Sequence, residues 1–164
     1  MLRLLGCAAA AALIAGISPA RADLPEDAKR LGAIFCMLGK DGGEFGRMYL
    51  VTRSLTEAIN QAQKKNDEIA AATPGEKPPL GDGVPYQSFP DEAPVCKVGK
   101  LADKGRNQEL EILYEFPKTP KGNWTDRLLL IVEDGRLRID DVLFGPGESG
   151  DGLRKALAPL LEKK

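Results

Sequence analysis
Residues 125–132 and 137–144, both rich in aliphatic and β-branched side chains, flank Asp134-Gly135, and no other part of the sequence constrains the fold as much. Asp-Gly between two such runs specifies a two-residue turn of type I′. Both central residues of that turn take positive φ, which glycine adopts freely and aspartate tolerates. The turn sets the pairing of the strands it joins. Val132 opposes Leu137, Leu130 opposes Ile139 and Leu128 opposes Asp141 on one face. Arg127, Leu129, Ile131, Arg138, Asp140 and Val142 fall on the other.

The rest of the chain supplies partners for this hairpin. Leu110, Ile112, Tyr114 and Phe116 alternate with Glu109, Glu111 and Glu115, the pattern of a half-buried strand. Residues 96–101 read as a shorter strand before it, with Asp103-Lys104-Gly105 as the turn between them. Upstream, Pro25-Glu26-Asp27 opens a helix in which Leu31, Ile34, Phe35 and Leu38 recur at helical spacing until Gly39 and Gly42-Gly43 end it. Ser54 and Glu57 have the spacing of a capping box and open a second helix, with Leu55, Ile59, Ala62, Asn66 and Ile69 on one stripe and an end near Thr73-Pro74. Its other face, with Gln61, Lys64, Lys65 and Glu68, is solvated.

Prolines 74, 78, 79, 85, 90 and 94 exclude regular structure from residues 73–95, which form a long loop anchored by Tyr86 and Phe89. Gly81-Asp82-Gly83 within it reads as a tight turn, because the spaced acids of a calcium loop are missing. A last amphipathic helix follows Asp151, with Leu153, Ala156, Leu157 and Leu160 on its apolar side and Pro159 limiting or bending it.

Ahead of these elements stand a basic end, Met1-Leu2-Arg3, an apolar run over residues 4–17, and Ala20-Arg21-Ala22 before Asp23. A bilayer-spanning helix needs about 20 apolar residues, so this shorter run reads as a secretory signal and not as a membrane anchor. Residues 1–22 are thus expected to be the signal peptide and residues 23–164 one mature domain, periplasmic or secreted. Cys7 precedes nearly all of the apolar run and is therefore no lipidation site.

Export bears on the cysteines. Cys36 and Cys96 remain in the mature chain, and in an oxidising compartment such a pair is expected to form a disulfide. Arg3 and Arg21 leave with the signal, so the mature chain carries 21 basic against 24 acidic residues, a formal charge of -3. Nucleic acid and anionic membrane, which call for clustered basic residues, are not expected partners. The chain contains 0 histidines, which excludes imidazole bases, Ser-His and Cys-His nucleophile pairs and His-ligated metals. Two distant cysteines make no zinc site, and neither a metal nor another cofactor is expected.

The elements add up to an α+β fold: N-terminal helices packed on a curved antiparallel four-stranded meander, then a C-terminal helix. Residues 45–157, and above all Trp124-Thr125-Asp126-Arg127-Leu128 and Arg138-Ile139-Asp140-Asp141-Val142 with Leu153-Arg154, resemble exported bacterial proteins of unknown function that have the nuclear-transport-factor-2-like (cystatin-like) fold. The resemblance implies a cone between sheet and helices, and no common activity.

The expected register puts Asp141 on an apolar face. One reading makes it a ligand-binding or proton-transfer group at the mouth of the cone, with Tyr114 as a donor and Tyr86 nearby. The other makes it an acceptor for backbone N–H groups or an arginine where the strand ends. Asp140 reads as a cross-strand ion-pair partner of Arg127 and Arg138, and Trp124 as a packing residue. Leu129, Ile131 and Val142 form an apolar strip on the open face, suited to a homodimer or a partner protein. Three functions follow: an exported, non-enzymatic binding module for a small ligand or an envelope protein, a carboxylate-based isomerase or dehydratase using Asp141 and Tyr114, and an inhibitor or immunity protein of an exported enzyme.

Overall fold
Asp134 and Gly135 both take positive φ, 50° and 73°, in the computed structural model of the chain, and the hairpin they close consists of β3 (Trp124–Glu133) and β4 (Arg136–Leu143). The structure describes residues 24–40, 44–145 and 151–162, so the expected signal segment and its cleavage site lie outside the described residues. β1 (Val95–Lys104) and β2 (Asn107–Glu115) precede the hairpin, and the four strands form one open antiparallel sheet in the order β1-β2-β3-β4. α1 (Leu24–Leu38), a short α2 (Glu44–Arg47), α3 (Arg53–Ala72) and α4 (Leu153–Leu161) complete the expected α+β arrangement. No described helix is long and apolar enough to cross a membrane.

Near the turn the register is the expected one, Val132 with Leu137 and Leu130 with Ile139. Beyond these pairs a bulge inserts Asp140 as an extra residue of β4, so that Leu129 opposes Asp141 and Leu128 opposes Val142. A shift of one residue exchanges the two faces of a strand, and it does so here for the remainder of β4. Two expectations are thereby corrected. Val142 is not on the open face but fully buried in the core, and Asp141 opposes the outer-face residue Leu129 instead of lying among Leu128, Leu130 and Ile139.

The inner face of the sheet, with Leu110, Ile112, Leu128, Leu130 and Ile139, packs against Phe35 of α1, Leu55 and Ile59 of α3, and Leu153 and Leu157 of α4. Each is at most 1% exposed, and each such side chain contributes about 1.5–3 kcal/mol when fully buried. α1 lies so close to the sheet that a Cβ on Gly32 would stand 2.6 Å from Leu110 Cδ2. The Cys36–Cys96 disulfide, with a Cα–Cα distance of 5.5 Å, fastens the end of α1 to the start of β1.

Several local expectations shift by a few residues. α3 is capped by Thr52 and not by Ser54: the Thr52 Oγ1 accepts from Leu55 N at 3.2 Å. β1 runs past Leu101 to Lys104 and turns at Gly105, whose φ of 81° suits the first central position of a type II′ hairpin. α4 continues through Pro159 to Leu161. α2 has no counterpart in the sequence reading, being too short to show a periodicity. The proline-rich loop packs down as expected, with Val84, Tyr86 and Ala93 buried. Phe89 stays 54% exposed but lies 5.6 Å, centroid to centroid, from the Trp124 ring.

Candidate functional site
The bulge delivers two carboxylates to the N-termini of two helices. Asp141 Oδ1 accepts from Val142 N at 2.8 Å and from Arg154 N at 3.0 Å, the second being an otherwise orphaned N–H in the first turn of α4. The N-cap of α4 is Gly152, which has no side chain to do this work. A Cβ at Gly152 would stand 2.7 Å from Val142 O and 3.2 Å from the Asp141 carboxylate, so Asp141 caps the helix from the neighbouring strand. Asp140 Oδ1 accepts from Thr52 Oγ1 at 3.0 Å and from Arg154 Nη2 at 2.7 Å, which ties α3, α4 and β4 together. Its expected pairing with Arg127 and Arg138 gives way to Arg154, while Arg127 pairs with Glu109 at 3.0 Å. Burial pushes the Asp141 carboxyl up from its ordinary pKa, and the N–H bonds from Arg154 and Val142 oppose that shift.

Tyr114 occupies a different place. It is paired with Trp124 at the far end of β3, five residues from Leu129, the partner of Asp141, which is about 17 Å along a strand. Tyr114 and Asp141 therefore share no reacting atom. The Tyr114 ring stacks on Trp124 at 4.5 Å, and burial drives its phenol well above the ordinary tyrosine range, with the Arg47 charge acting the other way. The hydroxyl has no hydrogen bond of ordinary geometry among the described residues, and the Arg47 guanidinium is the donor that stands near it. Beside it lies Asp126, a fully buried carboxylate that accepts from Ser88 N at 2.9 Å, Gly145 N at 2.9 Å and Trp124 Nε1 at 3.2 Å. Tyr86 is buried over Arg47, itself only 4% exposed, whose guanidinium lies 4.1 Å from the Phe35 ring centre and whose Nε donates to Phe35 O. The structure thus gathers Tyr86, Tyr114 and Trp124 into one packed cluster that holds the loop down, and leaves Asp141 apart.

Open space lies in two places: a recess of about 360 Å³ at the proline-rich loop, lined among others by Arg47, Tyr86, Gln87 and Phe89, and a row of recesses along α3. Between its first half and the tip of the β3–β4 hairpin is a recess of about 770 Å³, lined among others by Tyr49, Val51, Thr56, Asn60, Arg136 and Arg138. A smaller one, about 100 Å³, follows between Phe45, Met48, Gln63 and Tyr86, and a third, about 340 Å³, between Asp67, Leu80 and Val84. Thr56, Asn60, Gln63 and Asp67 recur at i, i+4, i+7 and i+11, one flank of α3; Thr56 and Asn60 line the first of this row, Gln63 the second and third, and Asp67 the third. Across from them Tyr49 is 79% and Phe45 76% exposed, although both are large aromatic side chains. The first of the row shares no lining residue with the other two, so the trough along α3 is a succession of neighbouring recesses, with Thr56, Asn60, Gln63 and Asp67 on one side and the exposed aromatics Tyr49 and Phe45 on the other.

Sequence reasoning missed Asp126, Arg47 and this trough. Asp126 could have been found, because it shares the inner-face parity of Leu128 and Leu130. The trough could not, because the flank of α3 that builds it reads as ordinary solvated surface. Among the described residues no group of three or more acidic, Cys or His side chains is placed to hold a metal ion. Comparison with protein-family models, with curated proteins and with solved structures finds no match to this chain.

Proposed function
We propose that this protein is an exported, non-enzymatic binding module for a protein of the cell envelope, and that the trough along α3 receives the partner. One observation carries the reading. The inner face of the sheet, where a ligand cone was expected, is filled by Leu110, Ile112, Leu128, Leu130 and Ile139, whereas two aromatic side chains stand in solvent beside an open trough. The separation of Tyr114 from Asp141 speaks against the carboxylate-enzyme alternative, and the Cys36–Cys96 bond suits an oxidising compartment. Helices against an open antiparallel sheet agree with a nuclear-transport-factor-2-like fold, which we propose on the strength of the Arg138-Ile139-Asp140-Asp141-Val142 segment.

The test is site-specific photocrosslinking in the exporting cell. A benzophenone amino acid placed at Tyr49 is expected to give a discrete protein adduct, and the same probe at exposed Lys118, on the loop between β2 and β3, is expected to give none. Equal labelling from both positions, or no adduct from Tyr49, would overturn the proposal.

A further inference from the structure
We infer that the trough takes an extended polypeptide segment of about five residues, its main chain on the Asn60/Gln63 flank of α3 and its side chains on Tyr49 and Phe45. This rests on the binding-module reading and names the form of the ligand.

Length comes first. Thr56 to Asp67 spans eleven residues of helix, about 16 Å at 1.5 Å per residue, which an extended chain covers in about five residues. The chemistry of the two sides agrees with that form. An extended segment presents N–H and C=O groups along its edges and side chains above and below. The side-chain amides of Asn60 and Gln63 each offer donors and an acceptor, and neither has a hydrogen-bond partner among the described residues. On the opposite bank Tyr49, Met48 and Phe45 provide apolar surface for alternate side chains.

A main-chain edge lies at the wide end. Ile139 turns its N–H and C=O outward, to Leu50 O at 3.0 Å and from Thr52 N at 2.9 Å, so residues 50–52 already add a short parallel strand to β4. Antiparallel pairs alternate in the direction of their main-chain groups, so Leu137, two residues nearer the turn, faces the same edge. Its N–H and C=O have no partner among the described residues, and its neighbours Arg136 and Arg138 line the recess of about 770 Å³. A glycan could stack on Tyr49 and bond the amides, but it would leave that edge unpaired. A peptide uses it.

Charge sets a direction. At the hairpin end Arg53 is paired with Asp134, Glu133 accepts from Arg53 N and Glu57 from Gln61 Nε2, and Lys64 and Arg136 make no ion pair among the described residues, so the four bases lining this recess exceed its three acids by one. At the other end Asp67 makes none. The segment therefore carries an acidic group toward the hairpin, a basic one toward Asp67, and apolar side chains between.

The experiment is selection of a displayed random heptapeptide library on the protein, expressed from its whole chain and purified under oxidising conditions, followed by fluorescence anisotropy with the selected peptides. Enriched sequences are expected to be acidic at one end, basic at the other and aromatic or aliphatic between. Binding is expected to weaken about tenfold or more in Tyr49→Ala and in Arg136→Glu, both at exposed positions, and to be unchanged in Lys118→Glu. No enrichment, or enriched peptides indifferent to Tyr49→Ala and Arg136→Glu, overturns the inference. Binding of chito-oligosaccharides that Tyr49→Ala abolishes, with no peptide selected, overturns it in favour of a glycan. A protein adduct at Tyr49 with no selected peptide leaves the module reading standing and removes the extended segment; selected peptides with no adduct in the cell do the reverse.

Discussion

Asp126→Asn tests the account of the aromatic cluster. The carboxylate is fully buried, and its two oxygens divide three donors: Oδ2 takes Ser88 N and Trp124 Nε1, and Oδ1 takes Gly145 N. An asparagine of nearly the same volume can direct its oxygen at the first pair or at Gly145, not both, and its amide nitrogen then meets an N–H head on. One buried donor loses its acceptor at about 1–3 kcal/mol, and the remaining bonds lose the assistance of charge, so the expected loss is about 2–3 kcal/mol. With a urea slope of about 2 kcal/mol/M for a domain of this size, the midpoint falls by about 1–1.5 M. Trp124 is the only tryptophan and donates to the substituted group, so its emission follows the same site. Because Ser88 N ties the proline-rich loop to β3, proteolysis within residues 79–92 is expected to quicken as well. A loss under about 0.5 kcal/mol would refute the reasoning, since three donors cannot be re-satisfied that cheaply.

Three further outcomes are expected. Tyr114→Phe removes a buried hydroxyl that has no hydrogen bond of ordinary geometry among the described residues and only the Arg47 guanidinium near it, so denaturant melts are expected to show equal or higher stability; a loss above about 1 kcal/mol would show that Arg47 bonds the hydroxyl. Ile131→Glu is expected to leave the monomer folded and to abolish any self-association seen by sedimentation, whereas Val142→Glu, at a fully buried position, is expected to prevent folding; two folded variants would contradict the bulged register. For Asp141, burial raises the folded-state pKa above the ordinary 3.8, so the folded chain holds this proton to higher pH than the unfolded chain, and the contribution to stability falls as pH rises from about 4 through the raised value. Asp141→Asn keeps an oxygen for Val142 N and Arg154 N and cannot ionise, so its stability relative to the parent is expected to improve over that rise, while Asp141→Ala, which loses both bonds, is expected to cost about 1–2 kcal/mol in denaturant melts.

Where the sequence and the structure agree, the signal is local. Asp134-Gly135 dictates its own turn and the two pairs nearest it because positive φ at two adjacent positions leaves few other residues eligible. Cys36 and Cys96 had no other cysteine to meet once Cys7 was assigned to the signal segment. The strand periodicity of Leu110, Ile112 and Tyr114 survives intact because β2 is central and its alternation is packed on one side. Thr52 displaced Ser54 as the cap of α3 for a reason outside the helix: its N–H is already held by Ile139 O, which fixes where the chain must begin to turn.

The bulge at Asp140 shows why the site was harder to read than the fold. Nothing in Arg138-Ile139-Asp140-Asp141-Val142 distinguishes a regular strand from one with an extra residue, since either register buries Ile139. What selects the bulge lies elsewhere in the chain. In the regular register Asp141 would lie unpaired among leucines, at a desolvation cost that no nearby group offsets. With one residue inserted, Val142 fills that position, Asp141 reaches the orphaned Arg154 N–H of α4, and Asp140 meets Thr52 and Arg154. A carboxylate that looks like a catalytic group from its strand alone becomes a helix cap once Gly152 and Arg154 are in place. With the sheet's inner face filled, Asp140 and Asp141 committed to the helix ends and Asp126 to the loop, the surface proposed for recognition is the flank of α3 with the exposed aromatic pair Phe45 and Tyr49, where no buried group is spent on the fold.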